Sequence, residues 1–136
     1  MNLDLLRQEL ERDEGRRNRI YKDTAGKITG GVGRNFDDVG LHDDEIDLML
    51  TNDINQAIHD LDKYLPWWKT LSDVRQRALI NCAFNLGIFG LLRFRNTLQF
   101  LKDGKYPEAA SEILNSLWAR QVGARAVRIA DMIRNG

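Results

Sequence analysis

The sequence has a single cysteine, only two prolines and no excess of charge of either sign. Cys82 has no partner for an internal disulfide or a cysteine-based metal site, and its apolar neighbours ALINCAFNLG predict a small buried hydrophobe. Twenty lysines and arginines balance twenty aspartates and glutamates, whereas proteins that bind nucleic acid normally show a basic excess. The composition therefore argues against a disulfide scaffold and against a nucleic-acid partner.

Long apolar runs are also lacking. No stretch approaches the length of a membrane span, and the opening residues MNLDLLRQEL have neither the basic start nor the apolar block of a signal peptide. The sequence thus predicts a protein made in the cytosol without membrane insertion, so that a target beyond that membrane requires a separate route of release. Its 136 residues fit one domain.

The spacing of apolar residues predicts an α+β fold. Residues 2–12 carry leucines at helical spacing, whereas the short segments between 20 and 36 are separated by glycines, as is typical of a small antiparallel sheet. A long helix with a continuous apolar stripe is predicted from Asp43 to about Leu65, and a second over 72–86. Shorter helices are predicted at about 88–93, 95–103, 107–121 and 124–134. A cleft between the sheet and the helical bulk would be the natural ligand site.

Other chemistry-bearing residue types form no recognisable site. His42 and His59 lack ligands at metal-binding spacing and are predicted to lie at the surface, so neither a metal nor a cofactor is expected. Trp67, Trp68 and Trp118 suit helix packing better than sugar stacking. The chain contains no Gly-x-Ser-x-Gly turn. Serine or cysteine nucleophilic catalysis is therefore unsupported.

The stretch EGRRNRIYKDTAGKITGGVGR, residues 14–34, contains two acids and many glycines. Glu14 falls at a helix-to-sheet junction, Asp23 in a turn between strands, and Thr29 six residues later. Hydrolysis of a glycosidic bond needs one protonated carboxyl group and one ionised carboxylate, and a threonine beside the latter would hold a water. From spacing alone, surface acids and a strand threonine are the commoner interpretation. The glycines match no phosphate loop and indicate hairpin bends or close backbone approach to a ligand.

Seven blocks, in order along essentially the whole chain, resemble the phage-type (T-even-like) lysozymes of glycoside hydrolase family 24. They are DEG at 13–15, IYKDTAG at 20–26, TGGVG at 29–33, RALINCAFNLG at 77–87, FRNTL at 94–98, PEAASEI at 107–113 and LWARQVGARAVR at 117–128. The resemblance implies one lysozyme domain over 1–136. A small sheet lobe at about 13–42 would pack on a helical lobe formed by about 1–12 and 43–136, with a cleft between them.

The resemblance also implies an activity and a setting. Members are muramidases, which hydrolyse the β-1,4 bond between N-acetylmuramic acid and N-acetylglucosamine in peptidoglycan. The expected protein is a monomeric phage or prophage endolysin, held in the host cytoplasm and released by a separate holin to lyse the cell. Whether it acts free or on a virion stays open at this stage. A lytic transglycosylase and a non-catalytic wall-binding protein on the same scaffold are the alternatives.

The catalytic roles follow from the resemblance position by position. Glu14 matches the general acid of the DEG block, Asp23 the second carboxylate of YKDT, and Thr29 the threonine that completes the set. By analogy with the T-even enzymes, Asp23 would activate water and the reaction would invert the anomeric centre. A transglycosylase needs the acid but no water-activating pair, so the presence of Asp23 and Thr29 argues against that alternative.

Further residues resemble the family's cleft and supporting positions. Those expected to contact sugar are Asn35, Phe84, Thr97 and Glu112, of which Asn35 and Glu112 differ in type from the best-known members. Arg125 and Arg128 match arginines that resemble partners for the carboxylates of Glu14 and Asp13. Two departures stand out: Arg34 replaces a histidine, which predicts an altered charge contact, and the loop at 36–42 is short.

Overall fold

The computed structural model describes all 136 residues, which form two compact units, Met1–Leu48 and Met49–Gly136. The first unit contains a helix, three strands and the start of a long helix. These are α1 (Leu3–Glu14), β1 (Arg17–Lys22), β2 (Ile28–Gly31), β3 (Arg34–Asn35) and α2 (Asp43–Tyr64), the last of which continues into the second unit. The second unit is helical throughout. It adds a 3-10 helix (Pro66–Thr70), α3 (Asp73–Leu92), α4 (Arg95–Lys102), α5 (Tyr106–Leu114), α6 (Leu117–Val122) and α7 (Ala124–Asn135). The predicted α+β class is confirmed.

Helix α1 ends where the first acid stands. Asn2 caps its start, because its side-chain oxygen accepts a hydrogen bond from the Leu5 N–H at 3.1 Å. Gly15 ends it with a φ of +78°, a conformation that glycine adopts at little cost, and its N–H donates to the Glu11 carbonyl. The predicted helix is confirmed and reaches two residues further than expected. Glu14 is consequently its last residue.

The three strands form an antiparallel sheet in the order β1-β2-β3. Thr29 lies on the central strand, where it pairs with Tyr21 on one side and Asn35 on the other. The register shifts between Arg17 and Tyr21, so β1 is bulged at its start. The small sheet predicted from the glycine spacing is confirmed.

Helix α2 has the predicted start but is only partly buried. Its first turn carries Asp43, Asp44 and Glu45, which suit the positive end of the helix dipole. Along its apolar stripe, burial begins at Ala57 and continues at Leu61, because the core of the second unit reaches only that half. The earlier apolar residues of the stripe are exposed: Ile46, Met49, Leu50 and Ile54.

The core of the second unit is built on helices α3 to α7. Helix α5 packs against α4, α6 and α7, and α3 packs against α7. Cys82 is 1% exposed within this core, as predicted. Trp68 and Trp118 are also buried, and their indole N–H groups donate to Asp62 at 2.8 Å and Asn85 at 2.9 Å. Packing, as predicted, is the role of these two tryptophans.

Of two predicted helix boundaries, one is wrong and one is confirmed. The helix expected at 107–121 is two helices: α5 ends at Leu114, and Ser116 caps the start of α6 by accepting a hydrogen bond from the Ala119 N–H at 3.1 Å. The break expected at Gly87 is present, because this residue has a non-helical conformation with a φ of +72°, and the backbone is helical again up to Leu92. The helix predicted at 88–93 is therefore the part of α3 that follows this kink.

Membrane-spanning potential is low for each helix taken alone. No single helix has both the length and the apolar composition that a span requires, and only the bent pair α3 and α4 meets those two criteria when taken together.

Candidate active site in the first unit

Glu14 projects from the end of α1 toward the turn between β2 and β3. Its side chain is exposed, and its carboxyl group lies against the backbone of Gly33. The two arginines nearest to it in sequence pair with other acids: Arg12 with Asp13 at 3.2 Å and Arg16 with Glu11 at 2.8 Å. Neither of these ion pairs includes Glu14.

Asp23 is fixed by the turn that joins β1 to β2. Its Oδ1 accepts hydrogen bonds from the N–H of Ala25 at 2.9 Å and of Lys27 at 2.8 Å, which makes an Asx-type turn. Its own N–H donates to the Lys27 carbonyl, and the Gly26 N–H donates to its carbonyl. Both side-chain bonds use the same oxygen, so Oδ2 takes no part in the turn.

Thr29 lies on the central strand, and its hydroxyl group donates a hydrogen bond to the backbone. The side chain is 5% exposed, and Oγ1 donates to the Lys27 carbonyl at 3.0 Å. A hydroxyl has one proton and two acceptor lone pairs. Any water bound at Oγ1 must therefore donate a hydrogen bond to it.

The end of β3 and the loop after it hold the hairpin in place. Asn35 donates from Nδ2 to Asp38 at 2.8 Å and accepts from the Asp38 N–H at 3.1 Å, and Lys27 pairs with Asp38 at 3.2 Å. Asp37 accepts a hydrogen bond from the Ile28 N–H at 2.9 Å. Asn35, expected to contact sugar, thus has both polar groups in a local network. Asp37 and Asp38 were not predicted, because only the folded loop brings them back to β2.

Arg34 forms an ion pair with Glu45 at the start of α2. Glu45 also accepts a hydrogen bond from the His42 N–H at 2.7 Å. The guanidinium, helped by this backbone donor, holds the pKa of Glu45 below its ordinary value, and the carboxylate raises the pKa of Arg34. The charge contact at this position is therefore an arginine–glutamate pair, which ties the hairpin to the helix within the first unit.

Phe84 and Arg125 lie in the second unit at one open groove of about 550 Å³. Phe84 is 46% exposed there. Arg125 donates to the side-chain oxygen of Asn81 at 2.9 Å and to the Asn81 carbonyl at 3.3 Å. The surface that lines this groove is mainly apolar, and Arg125 adds a positive charge to it.

Thr97 and Glu112 come together at a smaller hollow of about 200 Å³ in the second unit. Thr97 is 4% exposed, and Glu112 is half-buried and accepts from Asn96 at 3.4 Å. Two of the four residues predicted to contact sugar therefore line the same hollow, Thr97 from α4 and Glu112 from α5. Arg128 is exposed on α7.

The first unit alone contains the complete predicted catalytic set. Glu14 ends α1, Asp23 occupies the β1–β2 turn and Thr29 lies on β2, while Phe84, Thr97, Glu112, Arg125 and Arg128 lie in the second unit. Asp13 pairs with Arg12. The catalytic and sugar-binding roles of these residues, and the pairing of Arg125 and Arg128 with acids of the first unit, stay predictions.

The comparisons with known proteins give one consistent family. The phage lysozyme family matches residues 11–131 of this chain. Probable T4-type lysozyme 1 of Dictyostelium discoideum is 28% identical over 156 aligned positions, which cover 93% of this chain and 92% of that protein. Probable T4-type lysozyme 2 of the same organism is 26% identical, with 96% and 94% covered. These alignments are longer than the 136 residues of the chain, so the relatives carry residues that it lacks.

A third relative is a much longer phage protein. The pre-baseplate central spike protein Gp5 of Enterobacteria phage T4 is 27% identical over 155 aligned positions, which cover 93% of this chain but only 27% of that protein. The similarity is thus confined to one part of the longer protein.

Proposed function

The chain belongs to the phage lysozyme family, and on that premise we propose a hydrolytic mechanism with Glu14 as acid, Asp23 as base and Thr29 as the residue that holds the attacking water. Membership makes the protein a glycoside hydrolase, a lysozyme-like muramidase that acts on peptidoglycan. The bond cleaved is the β-1,4 link between N-acetylmuramic acid and N-acetylglucosamine.

The two carboxylate oxygens of Asp23 differ in their hydrogen bonds, and this difference supports the proposal. Oδ1 accepts two backbone N–H groups, which fix the plane of the carboxylate, while Oδ2 stays outside the turn. A general base needs a fixed position and a free lone pair, and this carboxylate has both. Thr29, two residues beyond Lys27, supplies an acceptor for the second hydrogen of the same water.

The proton movements balance in one step. The protonated carboxyl group of Glu14 gives its proton to the glycosidic oxygen as the bond from that oxygen to the anomeric carbon breaks. Water attacks this carbon and loses a proton to Oδ2 of Asp23, while its other hydrogen is held by Oγ1 of Thr29. The result is a free hydroxyl on each product, an ionised Glu14 and a protonated Asp23, which solvent resets. Attack by water on the face opposite the leaving group inverts the anomeric centre.

The biological setting that fits this activity is host lysis by a phage or prophage endolysin. The protein would act as a monomer, made in the host cytoplasm and released to the wall through a separate holin. The similarity to part of the phage T4 spike protein favours a second setting, in which the same activity is carried on a virion.

The test of the mechanism is the digestion of purified peptidoglycan by the wild type and by Glu14→Gln, with the products identified by mass. We expect wild-type digestion to reducing muropeptides and a loss of at least about 100-fold in Glu14→Gln, because general acid catalysis contributes about 10²–10⁴-fold. Glutamine keeps the size of the side chain, and matched circular dichroism and melting temperature would show that the fold is intact.

Three other outcomes would each contradict a specific part of the mechanism. Muropeptides that end in an internal anhydro ring would identify a lytic transglycosylase and remove the role given to Asp23. Binding to the wall without cleavage would identify a lysozyme-fold binder. Wild-type activity in Glu14→Gln would show that another group is the acid.

A further inference from the structure

We propose that Gly33 is a positioning residue for the acid: the absence of a side chain there is what lets the Glu14 carboxyl group occupy its place. This inference rests on the proposed function, because it concerns the group that protonates the leaving oxygen. It assigns a specific role to one glycine of the TGGVG segment, for which the sequence indicates only a hairpin bend or close approach of the backbone to a ligand.

The contact between the two residues is closer than any side chain at position 33 would allow. A methyl group on Gly33 would lie 2.6 Å from Oε2 of Glu14, 2.9 Å from its Cδ and 3.1 Å from its Cβ. Such distances are inside van der Waals contact, which for carbon atoms is about 3.5–4.0 Å. The carboxyl group therefore packs directly on the backbone of the β2–β3 turn.

The hairpin fixes Gly33, so that the acid would have to move. Thr29 pairs with Asn35 and Gly30 with Arg34, which anchors both sides of the turn, and the Arg34–Glu45 ion pair anchors its far end. The side chain of Glu14 is exposed, so its carboxyl group has room to move toward solvent. A methyl group at position 33 would thus displace this carboxyl group, at large cost to the proton transfer, and its distance of 3.1 Å from Cβ of Glu14 would also require a small shift at the end of α1.

Gly31, the last residue of β2, provides a matched control beside the same turn. It has a φ of +61°, almost the same as the +65° of Gly33, but a methyl group on it would meet nothing within 4 Å. An L-residue is strained in this left-handed region wherever it stands. Alanine at position 31 or at position 33 therefore introduces similar backbone strain, and only alanine at 33 collides with Glu14.

Gly30 shows what a structural role looks like in the same segment. A methyl group there would lie 3.0 Å from Cε2 of Phe36 and 3.6 Å from Cγ1 of Ile20, and its nearest neighbours do not include Glu14. Gly30→Ala is thus the variant expected to disturb side-chain packing. Its effect on melting temperature sets the scale for a loss that comes from folding alone.

The kinetic test compares Gly33→Ala with Gly31→Ala on a soluble peptidoglycan oligosaccharide. We expect both melting temperatures to fall because of the shared backbone strain, and that of Gly33→Ala to fall somewhat further because of its contact with Cβ of Glu14. We expect kcat to fall on the order of 10- to 100-fold only in Gly33→Ala, with KM little changed, because a displacement of about 1 Å at a catalytic group can cost about 100-fold. Equal values of kcat in the two variants, or a loss carried entirely by KM, would overturn the proposal.

A spectroscopic measurement tests the contact without any activity. The carboxyl carbon resonance of Glu14, in protein labelled with ¹³C-glutamate and assigned with Glu14→Gln, should shift in Gly33→Ala and stay in place in Gly31→Ala. An unshifted resonance in Gly33→Ala would show that the carboxyl group does not rest on this glycine. Full activity in Glu14→Gln would instead overturn the proposed function itself, whatever the resonance does, so the two failures are distinguishable.

Discussion

Thr29 donates its hydroxyl proton to the carbonyl oxygen of Lys27, at 3.0 Å. The same oxygen accepts the N–H of Asp23 at 2.9 Å. The carbonyl oxygen of Lys27 thus binds both residues to which we assign the attacking water, Thr29 on the strand and Asp23 in the turn. Because this bond uses the only hydroxyl proton, Thr29 can orient a water but cannot give a proton to it.

Replacement of Thr29 by valine should therefore lower kcat with little effect on folding. Valine keeps the branched shape, and the Lys27 carbonyl keeps its bond from Asp23, so we expect a loss of unfolding free energy of about 1 kcal/mol. The water loses its acceptor, and we expect kcat to fall on the order of 100-fold. Steady-state kinetics and chemical denaturation measure the two effects.

Thr29→Ser is the control for this substitution, since serine retains the hydroxyl at nearly the same position. Its kcat should stay within about tenfold of the wild type, because the hydrogen-bonding groups are conserved. If Thr29→Val were as active as Thr29→Ser, the hydroxyl would have no part in holding the water.

The Arg34–Glu45 ion pair should make the free energy of unfolding depend on pH in the acid range. The guanidinium lowers the pKa of Glu45, so the folded chain holds this carboxylate in its ionised form to lower pH than the unfolded chain does. The stabilisation is fully present above the ordinary glutamate pKa of about 4.3 and is lost as the pH falls through the lowered value of the folded state. Arg34→Met should reduce the free energy of unfolding at pH 6 to 7, and the difference from the wild type should shrink below about pH 4.

The assignment of this effect to Glu45 can be checked in a double variant. In a Glu45→Gln background, the effect of Arg34→Met on stability should vary much less between pH 3 and pH 7, and the remaining variation comes from the weaker attraction between Arg34 and Asp44. The difference in stability between the wild type and Arg34→Met, both of which contain Glu45, should also decrease with added salt. Both side chains of the ion pair are partly exposed, and salt screens exposed ion pairs. A pH-independent effect of Arg34→Met in the wild-type background would exclude the ion pair as its cause.

The thiol of Cys82 should be inert in the native protein. Burial raises its pKa to about 12, and the residue is 1% exposed. Thiol reagents attack the thiolate, whose fraction at pH 8 is then about 10⁻⁴. We expect labelling by a chromogenic disulfide to proceed at the rate of unfolding in native buffer and within seconds in concentrated guanidinium chloride. Rapid labelling of the native protein would show that the helix around Cys82 opens locally.

Periodicity and turn residues predicted most elements of this fold, though not the 3-10 helix at Pro66–Thr70. Asp43 and Asp44 marked the start of α2, and the glycines separated the strands, because both are local effects of backbone chemistry. The division of 107–121 was missed, since both halves carry helical spacing and the only local signal between them is the serine that caps α6. Local signals thus predict which element forms better than where it ends.

The site was predicted through residue types and family resemblance, and its supporting contacts were not. Glu14 and Gly33 are far apart in sequence, and their contact depends on how α1 and the β2–β3 turn meet within the first unit. The bonds that Asp37 and Asp38 make to β2 and to Lys27 depend in the same way on the path of the loop. Such contacts are properties of the fold, which no spacing rule encodes.

The final prediction separates the structural and chemical roles of Asp23. In Asp23→Asn, the amide oxygen can accept the same two N–H groups of Ala25 and Lys27 that Oδ1 accepts now, so the turn should keep most of its stability. The amide nitrogen that replaces Oδ2 has no lone pair to take a proton. We expect kcat to fall about 10²–10⁴-fold at nearly unchanged melting temperature.

Asp23→Ala removes both the hydrogen bonds of the turn and the proposed base, and it serves as the reference for Asp23→Asn. Without the side-chain oxygen, two backbone N–H groups of the turn lose their partner, and we expect a loss of about 1–3 kcal/mol in unfolding free energy beyond that of Asp23→Asn. The catalytic loss should be at least as large as in the asparagine variant. If Asp23→Asn hydrolysed peptidoglycan at the wild-type rate, Asp23 would be a turn residue only, and the base would have to be sought elsewhere in the first unit.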